Sequence, residues 1–249
     1  MSFIQCNFRS FTLGFNVSVN VILPEPIKEN EKFKVLYLLH GYIGDHTDWM
    51  RYTSIERYAS EYRLAVVMPS VHNSYYTDTT YGQPYFTYIA DELQTMIKTT
   101  FPISKKPSDT YVGGLSMGGY GAVKLALTYP KKYGKAFSLS GALQIEKIRQ
   151  MKLDDNEKKL FEGVFGKKSL LNTKNDLFYL ARKQEAKKES LPDLLIMCGR
   201  GDFLYQENLD FVSLLKEVQI KHTYEESEGS HDWAYWDKTI QDALHWLYL

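Results

Sequence analysis

Cysteine is nearly missing from this chain, with only Cys6 and Cys198 among 249 residues. Such scarcity excludes a disulfide-stapled scaffold and points to a core held by packing in a reducing compartment. Long apolar runs are missing too. No stretch reaches the roughly 18 apolar residues of a membrane span. The segment Met1 to Arg9 mixes Gln5, Asn7 and Arg9 among apolar residues, where a signal peptide needs a basic start and about 7 to 15 apolar residues. The expectation is a cytoplasmic protein with no membrane partner. Neither charge sign dominates, since Lys+Arg and Asp+Glu both count 30, so no whole-chain field favours nucleic acid or an anionic surface. No repeat, low-complexity tract or Pro- or Gly-rich linker marks a boundary, and the whole chain, 1–249, reads as one domain.

What is present is a succession of short apolar runs. From Phe3 to Leu23 apolar and polar residues roughly alternate, with Gly14 at a turn, the pattern of an antiparallel edge hairpin. Lys34–Leu39, Leu64–Met68, Thr110–Val112, Ala136–Leu139 and Leu194–Met197 lack alternation, as strands covered on both faces do. Helical patterns fall between them, around Ile55–Tyr62, Tyr88–Thr100, Gly119–Tyr129, Leu204–Val218 and Trp233–Trp246. Strand, helix, strand in repetition implies right-handed crossovers and a mostly parallel sheet. Ligands should bind beyond the carboxyl ends of its strands. One segment breaks the rhythm: 144–190, rich in Lys and Glu, is too long for a normal crossover. It reads as a solvated helical insertion, with a part in a cap over the active site as the alternative.

The chemistry-bearing pattern is Gly114-Leu115-Ser116-Met117-Gly118. Gly-x-Ser-x-Gly carries meaning when a strand precedes it and a helix follows, because the sharp turn then exposes the serine oxygen. Thr110–Gly113 reads as that strand, and Met117 onward as that helix. A serine hydroxyl needs a base to take its proton. In a chain order of Ser, acid, His, the histidines at 40, 46 and 72 are excluded, leaving His222, His231 and His245. His222 falls in a strand pattern and His245 inside the last helix. His231 lies in the loop between them and is the candidate base. The acid is Asp202, after the run ending at Cys198; its competing role is to cap the helix that follows. Asp232 reads as a cap of the final helix, and Asp210 as a residue within a helix.

A tetrahedral oxyanion needs prearranged N–H donors. The Met117 amide is one. The loop His40-Gly41-Tyr42-Ile43-Gly44 supplies the second, from Tyr42, with Gly41 and Ile43 as near alternatives. Gly41 also lets the main chain approach a substrate, and Trp49, Tyr76 and Trp233 are candidates for lining the pocket with aromatic surface. No histidine pair sits at metal-ligand spacing with a carboxylate, and no phosphate loop or dinucleotide fingerprint occurs. The expectation is therefore no metal and no cofactor.

Taken together, His40-Gly41-Tyr42-Ile43-Gly44, Tyr76-Thr77-Asp78, Gly114–Gly121 and Ser230-His231-Asp232-Trp233 resemble the bacterial tributyrin esterases. These lie in the esterase D or S-formylglutathione hydrolase branch of the α/β-hydrolases. The resemblance runs from the first strands to the last helix; only 144–190 carries no recognisable motif. It implies the α/β-hydrolase fold, with helices on both faces of a mostly parallel sheet and an N-terminal antiparallel hairpin. It also implies a triad of Ser116, Asp202 and His231 and a small acyl ester as substrate, from acetyl to butyryl. An S-formylglutathione thioesterase and an acetyl-xylan or feruloyl esterase are the alternatives within the enzyme class. A catalytically silent binding protein is the alternative outside it, and an intact Ser, Asp and His in order argue against that. Homo-oligomerisation is left open.

Overall fold

The computed structural model describes residues 1–151, 153–187 and 190–249. Eight strands form one sheet: β1 (Ser2–Arg9), β2 (Asn16–Leu23), β3 (Val35–Leu39), β4 (Ala65–Pro69), β5 (Thr110–Leu115), β6 (Lys135–Leu139), β7 (Asp193–Gly199) and β8 (His222–Ser227). Their order is β1-β2-β4-β3-β5-β6-β7-β8. The first two pairings, β1 with β2 and β2 with β4, are antiparallel; all the others are parallel. This is the predicted architecture, hairpin edge included. Gly14 takes the hairpin turn at φ +78°, a conformation costly for any residue with a Cβ.

Strand periodicity divides the core. Val35, Tyr37 and Leu39 point into one hydrophobic cluster, while Leu36 and Leu38 point into a second on the other face. Residues two apart share a face, so β3 needs apolar side chains at every position. The first face is covered by α4 (Leu93–Thr100), α5 (Met117–Thr128), α8 (Leu177–Lys187) and α9 (Tyr205–Glu217). The second is covered by α1 (Asp48–Tyr52), α2 (Ile55–Glu61) and α10 (Trp233–Trp246). The helix expected over Tyr88–Thr100 begins earlier, with the short α3 (Tyr85–Thr87) running through a π-helical turn, Tyr88–Glu92, into α4. That wide turn presents the Glu92 carboxylate to Ser10 Oγ and to the Phe11 and Thr12 amides, at 2.5, 2.7 and 3.1 Å, which pins the hairpin to the body.

The segment 144–190 forms α6 (Ile145–Gln150), α7 (Asp155–Phe165) and α8. Helix α7 starts at a reciprocal capping box between Asp154 and Glu157, which satisfies amides that a helix start leaves unpaired. The segment is not simply solvated. Phe161, Val164 and Phe165 are buried, and the Thr80 and Tyr81 amides donate to the Val164 and Gly163 carbonyls of α7.

A buried lysine fastens this segment to the sheet. Lys124, on α5, is 2% exposed. Its Nζ donates to Thr77 Oγ1 and Asn175 Oδ1, both at 2.8 Å, and to the Tyr76 carbonyl at 3.4 Å. Burial pushes its amine well below the ordinary lysine range, against the pull of Asp78. Three acceptors from two loops thus depend on one side chain. Removing it leaves buried oxygens without donors and a cavity beside α5. Lys124→Ala is expected to cost about 3 kcal/mol or more in urea unfolding, and Lys124→Met, which fills most of the space, less than that. Equal stability of Lys124→Ala and wild type would contradict this role.

Candidate active site

Ser116, Asp202 and His231 each follow a parallel strand at its carboxyl end. Ser116 comes directly after β5, at φ +51°, ψ −116°. Its amide donates to the Leu139 carbonyl at 2.9 Å and its carbonyl accepts from Ala142 at 3.1 Å, so neighbouring main chain over-determines a strained conformation. The positive φ falls on the serine itself. The flanking glycines answer a different demand, close approach. A Cβ on Gly118 would sit 2.4 Å from the Leu39 carbonyl oxygen, and one on Gly114 would sit 2.6 Å from the same atom.

Asp202 and His231 lie on the loops after β7 and β8, and those loops are laced together. Pairing of the two strands runs to Gly199 opposite Ser227. It then continues through Arg200 N–H to the Ser227 carbonyl at 3.0 Å and Gly201 N–H to the Gly229 carbonyl at 2.9 Å. Arg200 adds ion pairs to Glu226 and Glu228 at 2.9 and 3.0 Å. Gly199 allows the approach, since a Cβ there would sit 2.4 Å from the Gly229 carbonyl oxygen; Gly229, at φ +151°, packs on α10, where a Cβ would strike the Tyr235 ring at 2.3 Å.

The lacing brings three side chains into line. His231 Nε2 is 2.9 Å from Ser116 Oγ. His231 Nδ1 is 2.9 and 3.0 Å from the two Asp202 oxygens. With Nδ1–H donating to the carboxylate, Nε2 is left as an acceptor for the serine proton. The Asp202 side chain is wholly buried. Burial alone would raise its carboxyl. The hydrogen bond and charge of His231 and the Leu204 amide outweigh that effect and hold it below the usual aspartate range. It therefore remains an anion. The capping alternative is present as well, since Asp202 Oδ1 accepts from Leu204 N–H at 2.8 Å: one carboxylate orients the histidine and starts α9. Asp232 caps α10 through Tyr235 N–H at 3.0 Å. His222 opens β8 and is engaged by the residues just before it, with Nδ1 2.7 Å from the Ile220 carbonyl.

The Met117 amide opens α5, and among the described residues neither it nor the Tyr42 amide has an acceptor. Ile43 is removed from the alternatives because its amide donates to Asn73 Oδ1 at 2.7 Å. The loop lies against the serine, for a Cβ on Gly41 would be 3.7 Å from Ser116 Cβ. His40 holds this loop from beneath. Its Nε2 accepts from Val71 N–H at 3.1 Å and its Nδ1–H donates to the Gly41 carbonyl at 2.7 Å.

A cavity of about 330 Å³ opens over Ser116, lined by Gly41, Tyr42 and Trp233 as expected. Two aromatic assignments need correction. Trp49 does not reach the cavity: it is fully buried, donates Nε1–H to the Leu39 carbonyl at 3.2 Å, and packs edge-on against Trp233. Tyr76 also turns inward. Its hydroxyl donates to the His40 carbonyl at 3.0 Å, and its ring lies so close to α5 that a Cβ on Gly121 would meet it at 2.5 Å. Its neighbour Tyr75 lines the cavity instead. Sequence reasoning also missed Phe203 and Trp236, whose rings flank His231 at 4.6 and 4.9 Å. The segment 144–190 supplies Ile148, Met151, Leu160 and Phe161 to the wall, in keeping with the cap that stood as the alternative reading of it. Among the described residues no cluster of His, Cys, Asp and Glu fits a metal ion, and no helix is long and apolar enough to cross a membrane.

The family model described as "Putative esterase" matches residues 10–247. The chain belongs to this esterase family. It is 38% identical over 261 residues to an acetyl esterase of Caldicellulosiruptor saccharolyticus, covering 99% of this chain and 98% of that one. Among solved structures, the substrate-bound fluorophosphonate-binding serine hydrolase F of Staphylococcus aureus is 41% identical at a TM-score of 0.94, covering 100% and 98% of the two chains. An S-formylglutathione hydrolase of Staphylococcus aureus is 40% identical at 0.90, covering 100% and 99%. The esterase is thus an α/β-hydrolase of the expected branch, a serine hydrolase acting on carboxylic esters.

His40 supplies a pH signature of this site. Burial, opposed by its bond to Gly41, lowers its imidazole from 6.5 to about 4. The unfolded chain then takes up a proton near pH 6.5 that the folded chain refuses until about pH 4, so stability falls as pH drops through that interval. Full expression of the shift is worth about 3 kcal/mol. Urea unfolding between pH 7 and 4 should show a correspondingly shallower loss in His40→Gln than in wild type. Equal slopes would contradict a neutral, buried His40.

Proposed function

We propose that Ser116 is the nucleophile of a short-chain carboxylesterase, with His231 as its base and Asp202 as the group that orients and charge-balances the imidazole. The observation that carries this reading is the unbroken chain of contacts from Asp202 through His231 to Ser116 Oγ, each about 2.9 Å. In this mechanism Ser116 Oγ attacks the acyl carbon as its proton passes to His231 Nε2. The oxyanion is met by the Met117 and Tyr42 amides. His231 returns the proton to the departing alcohol, and water activated by the same imidazole then releases the acid and frees the serine.

A short acyl group, as in tributyrin or an acetyl ester, suits the cavity: about 330 Å³ shared between acyl and alcohol portions, with Phe161 and Leu160 among its walls. The segment 144–190 acts as one side of a cap within a single domain, since α6 and α7 both contribute to the cavity wall and α7 is tied down at Thr80 and Tyr81. Two free thiols accord with the cytoplasm. A thioesterase acting on S-formylglutathione is the second reading, favoured by the 40% identical hydrolase of that name.

A series of p-nitrophenyl esters tests the proposal. Catalytic efficiency should peak at about two to four acyl carbons, and Ser116→Ala should lower turnover on the order of 10³-fold or more. A peak at long chains would defeat the pocket assignment, and wild-type turnover by Ser116→Ala would defeat the nucleophile.

A further inference from the structure

The cavity over Ser116 has a charge bias that the chain as a whole lacks. The sequence balances 30 basic against 30 acidic residues. The charged side chains lining the cavity are nevertheless both acidic, Asp48 and Glu157, and among the described residues no lysine or arginine lines it. They come from separate elements. Asp48 begins α1, beneath the Gly41–Gly44 loop, where a Cβ on Gly44 would meet its Oδ2 at 2.0 Å. Glu157 stands in the first turn of α7, on the opposite part of the chain. Its Oε2 accepts from Asp154 N–H at 2.8 Å, which fixes the carboxylate in the capping box. Neither carboxylate is in an ion pair among the described residues.

Among the described residues, the groups that line the cavity do not offset this field. Tyr42 and Tyr75 line the same cavity as neutral phenols. Burial raises the titration of both, and the Glu157 charge adds to it. Burial also raises the Asp48 carboxyl and the Asp45 charge adds to that, while an Asp45 amide contact and the charges of Arg51 and His46, which stand outside the cavity lining, oppose it. Fixed charges facing a largely apolar cavity act through a lower effective dielectric than charges in water. Glutathione, by contrast, brings two carboxylates and one ammonium.

We infer that Asp48 and Glu157 select the leaving group by charge, so that the site takes esters and thioesters of neutral or cationic alcohols and thiols and rejects anionic ones, glutathione included. This rests on the reading that acyl transfer occurs at Ser116. Like charges across a binding site are a common device for excluding wrong partners. The device deepens the esterase assignment and separates it from the glutathione thioesterase reading.

Four acetyl thioesters sharing one acyl group test the inference: acetylthiocholine, S-acetyl-2-mercaptoethanol, S-acetyl-3-mercaptopropionate and S-acetylglutathione. Thiol release gives kcat/KM for each. At low ionic strength the cationic member should exceed the 3-mercaptopropionate member by about tenfold or more, a ratio that shrinks at high salt. Glu157→Gln keeps a side chain competent for the capping box; it should compress the ratio, and adding Asp48→Asn should compress it further. The order should persist in Lys152→Gln, which neutralises a lysine outside the described residues. S-acetylglutathione turned over as fast as the neutral member would overturn the inference, as would a ratio unmoved in the double variant or an order that depends on Lys152. Failure to turn over any of the four, the neutral one included, would overturn the underlying esterase reading and the inference with it.

Discussion

A buried carboxylate is the constraint from which the rest of the site follows. The Asp202 side chain has no exposure to solvent, and an isolated charge in that position would be severely destabilising. Two donors make it tolerable, the Nδ1–H of His231 and the amide of Leu204. The first requires that the loop after β8 run alongside the loop after β7, which is why their main chains continue to pair past the ends of the strands and why glycine stands at 199 and 201, each close to the Gly229 carbonyl. The second starts α9. Once Nδ1 is committed to the carboxylate, the other imidazole nitrogen faces Ser116, the arrangement that the proposed mechanism uses for proton transfer.

The opposite side of Ser116 is organised by a second buried polar group, Lys124. Through Thr77 and Asn175 it joins the loop bearing Tyr75 to the segment that builds the remaining wall of the cavity. Between the two lies α5, whose first turn holds the serine and approaches the Leu39 carbonyl closely enough that only glycine fits at 114 and 118. The serine is therefore placed by backbone packing, the histidine by a buried charge, and the pocket by a chain of side-chain contacts reaching into 144–190. The first two are local to strand ends. The third is not.

That difference explains what could be read from the sequence. The parallel strands were legible because burial on both faces leaves runs without polar interruption. The positions of Ser116 and Asp202 were legible because each sits a few residues beyond such a run, whereas His231 was singled out by chain order and by its loop after the polar, partly exposed β8. The aromatic residues were not. Tyr75 and Tyr76 both take positive φ, at +50° and +46°, so neither strand nor helix periodicity says which ring faces the cavity. Trp49 reads as a pocket residue by its nearness to the Gly41–Gly44 loop, yet it supports Trp233 from within the core. In 144–190 the apolar positions Leu160 and Phe161 face a cavity assembled from distant segments, and no local pattern reveals that. Asp154 and Glu157 do carry a visible capping spacing, Asp-x-x-Glu, although nothing in it shows that the glutamate also borders the cavity.

The central claim is that the Asp202–His231 pair activates one serine, Ser116. The most direct measurement is the rate and position of labelling by a fluorophosphonate, followed by intact-mass and peptide analysis of wild type and His231→Ala. The account predicts a single adduct, on the peptide carrying Ser116, with labelling slowed on the order of 10³-fold when the imidazole is removed. An adduct on any other residue, or a rate unchanged in His231→Ala, would contradict it.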